Sequence, residues 1–135
     1  MTSTVDSLAE LCVHLAEFEL PGITSVHVAD CRPAPEVTVQ LSCREPSAIA
    51  AGLLAWADTL AQATAQAWRV PRGDSVHVSV TGLLPSGASV RVYRGLRSTD
   101  CCLGVGLKPD ITTAVSLATL RYLATPGHAI DEVAL

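Results

Sequence analysis

The sequence predicts an α+β fold in which two helix-strand-strand units build an antiparallel sheet of four or five strands, with helices packed on one face and a further helix at the C-terminus. Three observations predict it. The tetrapeptide Ser-Val-His-Val occurs twice, at residues 25–28 and 75–78. Each copy precedes a second segment of alternating apolar and polar residues, 36–42 and 88–93, and such alternation marks a half-buried strand. Each pair of strands follows a stretch with apolar residues at three- and four-residue steps, the period of a helix. At 135 residues the chain fits one domain, because folding at this size removes roughly two thirds of the unfolded surface. Its repeat-like halves cover residues 4–43 and 45–95, followed by an edge strand and helix over 100–124 and a tail over 125–135.

The first element is an amphipathic helix over residues 4–18, where Leu8, Leu11, Cys12, Leu15 and Phe18 share a stripe. Thr4 or Asp6 caps it, and Pro21-Gly22 ends it. Residues 23–29 and 36–42 form a hairpin whose loop carries Pro33 and Pro35, residues that cannot continue a ladder. Pro46 suits the first turn of a second helix, which the spacing of Ile49, Leu53, Trp56, Leu60, Ala63 and Ala67 extends from Ser47 to about Trp68. The small residues Gly52, Ala57 and Ala61 let that helix lie close to a sheet, and Pro71-Arg72-Gly73 breaks it. A second hairpin pairs residues 75–81 with 88–94 around Pro85-Ser86-Gly87, with Val76, Val78 and Val80 facing the same way as Val90 and Val92. Residues 101–107 are an apolar run suited to a fifth, edge strand, and Asp110 caps a last helix over 112–123 that Thr125-Pro126-Gly127 stops.

Composition excludes several classes of function. Apolar residues make up 49% of the chain, charged residues only 16%, and the mean hydropathy is +0.37. A surface with so little charge is expected to be covered in part by a second copy or another protein. The longest weakly polar run, 48–67, is interrupted by Asp58, Gln62 and Gln66, so no membrane span is expected. Asp6 and Glu10 stand where a signal peptide would be basic, which makes a cytoplasmic location the expectation. The five cysteines have no Cys-x-x-Cys spacing and are read as reduced, buried thiols. The four histidines lack metal-ligand spacing. No cofactor is implied. Nucleophile-elbow, phosphate-loop and dinucleotide motifs are absent, and Gly104-Val105-Gly106 is too short for a phosphate cradle. The expectation is a protein that is not an enzyme.

Two surfaces carry the functional reading. Valines turned toward the helices force the alternate residues outward, giving an open face of Ser25, His27, Thr38, Gln40, Ser42, Ser75, His77, Ser79, Thr81, Ser89, Arg91 and Tyr93. Charge is uneven along the chain. Residues 1–67 hold two arginines against eight acids (net −6), residues 68–108 six basic residues against two acids (net +4), and residues 109–135 one against three (net −2). The second hairpin is therefore basic, and Arg91, Tyr93, Arg94 and Arg97 combine cations with an aromatic ring as single-stranded nucleic-acid sites do. His27 and His77 occupy equivalent positions of the repeat. The favoured reading is a regulatory or adaptor module that forms a homodimer, the basic hairpin of one copy meeting the acidic first unit of the other. Nucleic-acid binding through that hairpin is the alternative.

The segments Ala67-Trp68-Arg69, 73–82 and Val90-Arg91-Val92-Tyr93 resemble parts of small uncharacterised actinobacterial proteins, some of them carried on mobile elements. The likeness covers about a quarter of the chain and implies no activity. The order helix, two strands, long helix, strands, helix is similar to that of roadblock-type dimerisation domains, which are adaptors and regulators of small GTPases. That resemblance implies a dimerisation domain as a further alternative.

Overall fold

Val37, Val39, Val76, Val78, Val80, Val90 and Val92 are almost completely buried, and they alternate with polar residues along three strands. One side of the sheet is thus the floor of the core. The computed structural model describes residues 3–30, 35–70, 75–97 and 112–125. In these the chain forms α1 (Thr4–Glu17), β1 (Ile23–Ala29), β2 (Glu36–Leu41), α2 (Pro46–Ala57), β3 (Ala61–Arg69), β4 (Ser75–Leu83), β5 (Ser89–Arg97), β6 (Thr112–Val115) and α3 (Leu117–Ala124). The strands make one six-stranded sheet in the order β1-β2-β5-β4-β3-β6. Leu11 of α1, Ile49, Leu53 and Trp56 of α2, and Leu120 of α3 join the valines in a single core, so the three helices cover the same face.

The sheet departs from expectation in three ways. It has six strands, not four or five, and one pair, β2 with β5, is parallel. A parallel neighbour needs a long crossover, and everything from α2 to β4 supplies it. The helix expected over 47–68 ends at Ala57, and Ala61–Arg69 is a strand. Ala and Gln favour helices, but the alternation of Ala61, Ala63, Ala65 and Ala67 with Gln62, Thr64, Gln66 and Trp68 has a period of two. Pairing with β4 on one side and β6 on the other overrides the propensity. The first residues of β3 are irregular: Gln62 has φ 54°, and the register slips between Ala61 and Thr64. Gly82 makes this possible, since a Cβ there would lie 2.6 Å from that of Leu60.

The two hairpins are not related by a translation across the sheet. They meet through their second strands, in parallel, with β1 and β4 on the outside. Superposing one on the other requires a half-turn about the strand direction, which exchanges the two faces of the sheet. The valines of both nevertheless face the helices, so the equivalence inferred from the tetrapeptides does not extend to three dimensions.

Smaller corrections concern the ends of helices. Ser3, rather than Thr4 or Asp6, caps α1, and Asp6 completes the capping box by accepting from the Ser3 amide at 3.2 Å. The last helix starts at Leu117 behind an N-cap at Ser116, whose Oγ accepts from the Thr119 amide at 3.1 Å, while residues 112–115 are strand. The edge strand expected at 101–107, the Asp110 cap and the tail from His128 lie outside the described residues.

α1 is rotated relative to the expected stripe. Its buried side is Ser7, Leu11 and His14, while Leu8 and Cys12 face outward. His14 explains the rotation. Its ring packs on Trp56 with centroids 5.6 Å apart and on Phe18 at 4.8 Å, and its Nε2 lies 2.8 Å from the Thr59 hydroxyl. That hydroxyl already donates to the Trp56 carbonyl at 2.8 Å, so Nε2 carries a hydrogen and donates. At the same end of the sheet, Glu10 accepts hydrogen bonds from the amide and hydroxyl of Ser86, tying α1 to the β4–β5 turn. In that turn Gly87 has φ +94°, a conformation that costs other residues strain.

Candidate functional site

The register places side chains of the open face in rows across the strands. One row is His27, Thr38, Arg91, Thr81 and Thr64 from β1, β2, β5, β4 and β3. The next is Ser25, Gln40, Tyr93, Ser79, Gln66 and Ala114, reaching β6. A third holds Gly95, His77, Trp68 and Thr112. Neighbouring strands lie about 4.8 Å apart, so residues next to each other in a row are in reach.

Three rings gather where the second and third rows meet. Trp68 meets His77 edge-on with centroids 5.5 Å apart, and His77 stacks on Tyr93 at 5.9 Å with planes 10° apart. Gly95, directly opposite His77, leaves space beside its ring. Burial lowers the His77 pKa below the ordinary imidazole value, and the nearby Arg91 guanidinium lowers it further, both favouring the neutral ring. Aromatic pairs of this kind contribute about 0.5–1.5 kcal/mol each beyond the area they bury.

Two glutamines flank the rings and organise the polar groups. Gln66 accepts at Oε1 from Ser79 and Thr81, both at 3.3 Å, and donates from Nε2 to Thr64 at 2.7 Å. Gln40 accepts at Oε1 from Ser25 at 3.3 Å and from the Tyr93 hydroxyl at 3.5 Å. Beside Gln66 the open face is hollowed. An open cavity of about 270 Å³ is lined by Glu36, Gln66, Ser79, Thr81, Arg91 and Thr112. Arg91 is exposed and has no hydrogen-bond or ion-pair partner among the described residues.

The residues singled out from the sequence therefore separate. Arg91, Tyr93 and His77 come together on the open face, and Arg97 shares that face opposite Ser75. Arg94 does not: it alternates with Val92 and Leu96 toward the helices, where its Nε donates to the Cys43 carbonyl at 3.1 Å. Arg69 also turns to the helix side, opposite Val76. Of the four described arginines of the basic segment, Arg69 and Arg94 are thus withdrawn from the open face; Arg72 and Lys108 lie outside the described residues. His27 is exposed on the edge strand β1, two strands from Arg91. Trp68, Gln66 and Thr112 were missed because β3 and β6 read as helix; the two-residue alternation of 61–68 was the signal that could have found them.

A second surface lies on the opposite side of the molecule. Val5 is 73% exposed, Leu8 40% and Val13 65%, and Cys12, Ala9 and Ala16 are exposed between them. Together they form an arc along the outside of α1. Asp6 and Glu17 border it. The exposed Cys12 thiol contradicts the expectation of buried cysteines; Cys43 is half-buried, and Cys31, Cys101 and Cys102 lie outside the described residues.

No helix among the described residues is long and apolar enough to cross a membrane. Comparison with known proteins adds no identity: no protein-family model, no curated protein and no solved structure matches the chain.

Proposed function

We propose that the chain is a self-associating binding module of the cytoplasm, regulatory or adaptor in role and not an enzyme, which pairs with a second copy through the outer arc of α1. The observation that carries this reading is a helix whose large apolar residues lie mostly on its exposed side. Its inner side packs in the core, and its outer side presents Val5, Leu8, Cys12 and Val13 to solvent. A run of apolar side chains left in solvent along a helix marks a contact surface. A second copy fits the arc. Twofold pairing sets a patch against itself, and Ala9, Cys12 and Ala16 let two helix backbones approach closely.

This interface differs from the charge-complementary contact that the sequence suggested. With Arg94 and Arg69 directed to the helix side, fewer cations remain on the open face to meet an acidic partner. The α1 arc is bordered by acids alone, so salt strengthens the pairing or leaves it unchanged, whereas an acid-to-base contact would weaken. Light scattering tests the reading. The native chain should show a mass near twice its 14.1 kDa at micromolar concentration, and Val13→Glu should return it to a single chain without loss of fold. A native chain that stays monomeric across a wide concentration range overturns the proposal.

A further inference from the structure

We propose that the hollowed sheet face is a binding site for a nucleotide unit, with the base stacked against the aromatic row and the phosphate held by Arg91. The site lies on the side of the sheet away from α1 and does not depend on the self-association proposed above.

Three features define the ligand. The first is a row of rings: Trp68, His77 and Tyr93 follow one another over three strands, and Tyr93 has one face against His77 and no other ring contact among the described residues. A planar heterocycle can extend that stack. The second is a cation that makes no ion pair among the described residues: Arg91 lines the cavity, which Glu36 also lines. Its planar fork suits the oxygens of a phosphate. The third is a pair of amides with donors to spare. Gln40 uses only Oε1 in its described hydrogen bonds, and Gln66 uses one of its two N–H groups, leaving donors for the carbonyl oxygens and ring nitrogens of a base edge.

Size and charge narrow the choice. The cavity of about 270 Å³ lies beside the rings, since Gln66 and Ser79 of its lining share the row of Tyr93; it is slightly smaller than most ligand sites, which span about 300–1,000 Å³, and so takes the phosphate and sugar of one nucleotide rather than a dinucleotide cofactor. Glu36 lines the same cavity as Arg91. Its carboxylate opposes accumulation of negative charge, which favours a phosphate bearing a single charge, as in a phosphodiester, over a di- or triphosphate. The nucleotide can be free or part of a single strand. One guanidinium in the cavity of a chain with formal net charge −4 limits the attraction, so affinity near physiological salt should fall in the weak range of about 10⁻⁴ to 10⁻⁵ M.

Fluorescence anisotropy with a labelled oligothymidylate at low salt tests the site, with thymidine monophosphate and thymidine triphosphate as competitors. Saturable binding is expected. Tyr93→Ala and Trp68→Ala should each weaken it at least about fivefold, and Tyr93→Phe, which keeps the ring, should bind nearly as the native chain does. Arg91→Ala should weaken binding and reduce the dependence of log affinity on log salt by about one unit. Arg121→Ala, on α3 across the sheet, should change neither. Competition by the monophosphate at concentrations comparable to the oligonucleotide assigns the site to free nucleotides, and its failure to compete assigns the site to a strand; stronger competition by the triphosphate contradicts the role given to Glu36. Absence of binding by the native chain, or full binding by folded Arg91→Ala and Tyr93→Ala variants, overturns the proposal. Light scattering on the same samples reports α1 pairing separately.

Discussion

Residues 25–28 and 75–78 carry the same four side chains, yet one copy lies on the edge strand β1 and the other inside the sheet on β4. In both, the valines face the helices and the serine and histidine face away. The depth differs. Val76 and Val78 are 0% and 1% exposed, whereas Val26 is 37% exposed. His27 stands in solvent, while His77 is half-buried between Trp68 and Tyr93. Alternation within a strand fixes the face a side chain takes, and the order of strands fixes how much that face is worth. Local sequence encodes the first and only tertiary pairing decides the second.

The valines should separate the two copies most strongly. Val76→Ala removes two buried carbons and leaves a space that the surrounding strands cannot fill, at a cost of about 2–3 kcal/mol. Val26→Ala should cost less than about 1 kcal/mol, because part of that side chain is already in water. Denaturant midpoints of the two variants measure the difference. Equal losses would place both copies at the same depth and break the comparison.

The histidines should differ less. His77→Ala removes two ring contacts and should cost about 1–2 kcal/mol, whereas His27→Ala should stay within about 0.5 kcal/mol, as exposed substitutions usually do. The same pair of variants would show whether the row of rings on the open face is part of the fold's stability.

Acid should act through His77 and His14, both of which burial holds below the ordinary imidazole value of 6.5. Arg91 reinforces the effect at His77, where Tyr93 and Trp68 are the other facing rings; Glu17 and Glu10 oppose it at His14, which faces Trp56 and Thr59. The sign follows from proton binding. Below about pH 6.5 the unfolded chain takes up more protons than the folded one, so the contribution is present above that pH and is lost as pH falls through the folded values. Urea midpoints should drop between about pH 7 and pH 5.5, and His77→Gln and His14→Gln should each flatten that slope. An unchanged slope in both variants would assign the acid sensitivity elsewhere.

Much of the fold is readable before any coordinates. The β4–β5 hairpin follows from Val76, Val78, Val80, Val90 and Val92 around Pro85-Ser86-Gly87, and Pro46 occupies the first turn of α2 as its geometry favours. β3 is less readable because Ala61 to Ala67 are good helix formers whose alternation is carried by small residues, a weak signal beside Leu or Val. The parallel pairing of β2 with β5 has no local signature at all. The candidate surfaces inherit these differences. Arg91, Tyr93 and His77 could be assigned to the open face from β4 and β5, while Trp68 and Gln66 could not be seen until β3 was known. Leu8 and Cys12 of α1 looked like core because they share helical steps with Leu11 and Leu15, whereas the packing of His14 on Trp56 turns the polar-containing side of the helix inward.

Cys12 offers the most direct measurement of the interface proposed for α1. Its thiol is exposed in the single chain and lies in the middle of the outer arc. In a variant with Cys31, Cys43, Cys101 and Cys102 replaced by serine, the rate of alkylation of Cys12 by a maleimide can be followed from low micromolar to submillimolar protein. The account predicts that the rate falls as concentration rises, and that Val13→Glu restores the fast rate at every concentration. A Cys12 that reacts equally fast throughout, in a chain whose mass is that of a pair, would place the contact elsewhere and contradict the role given to α1.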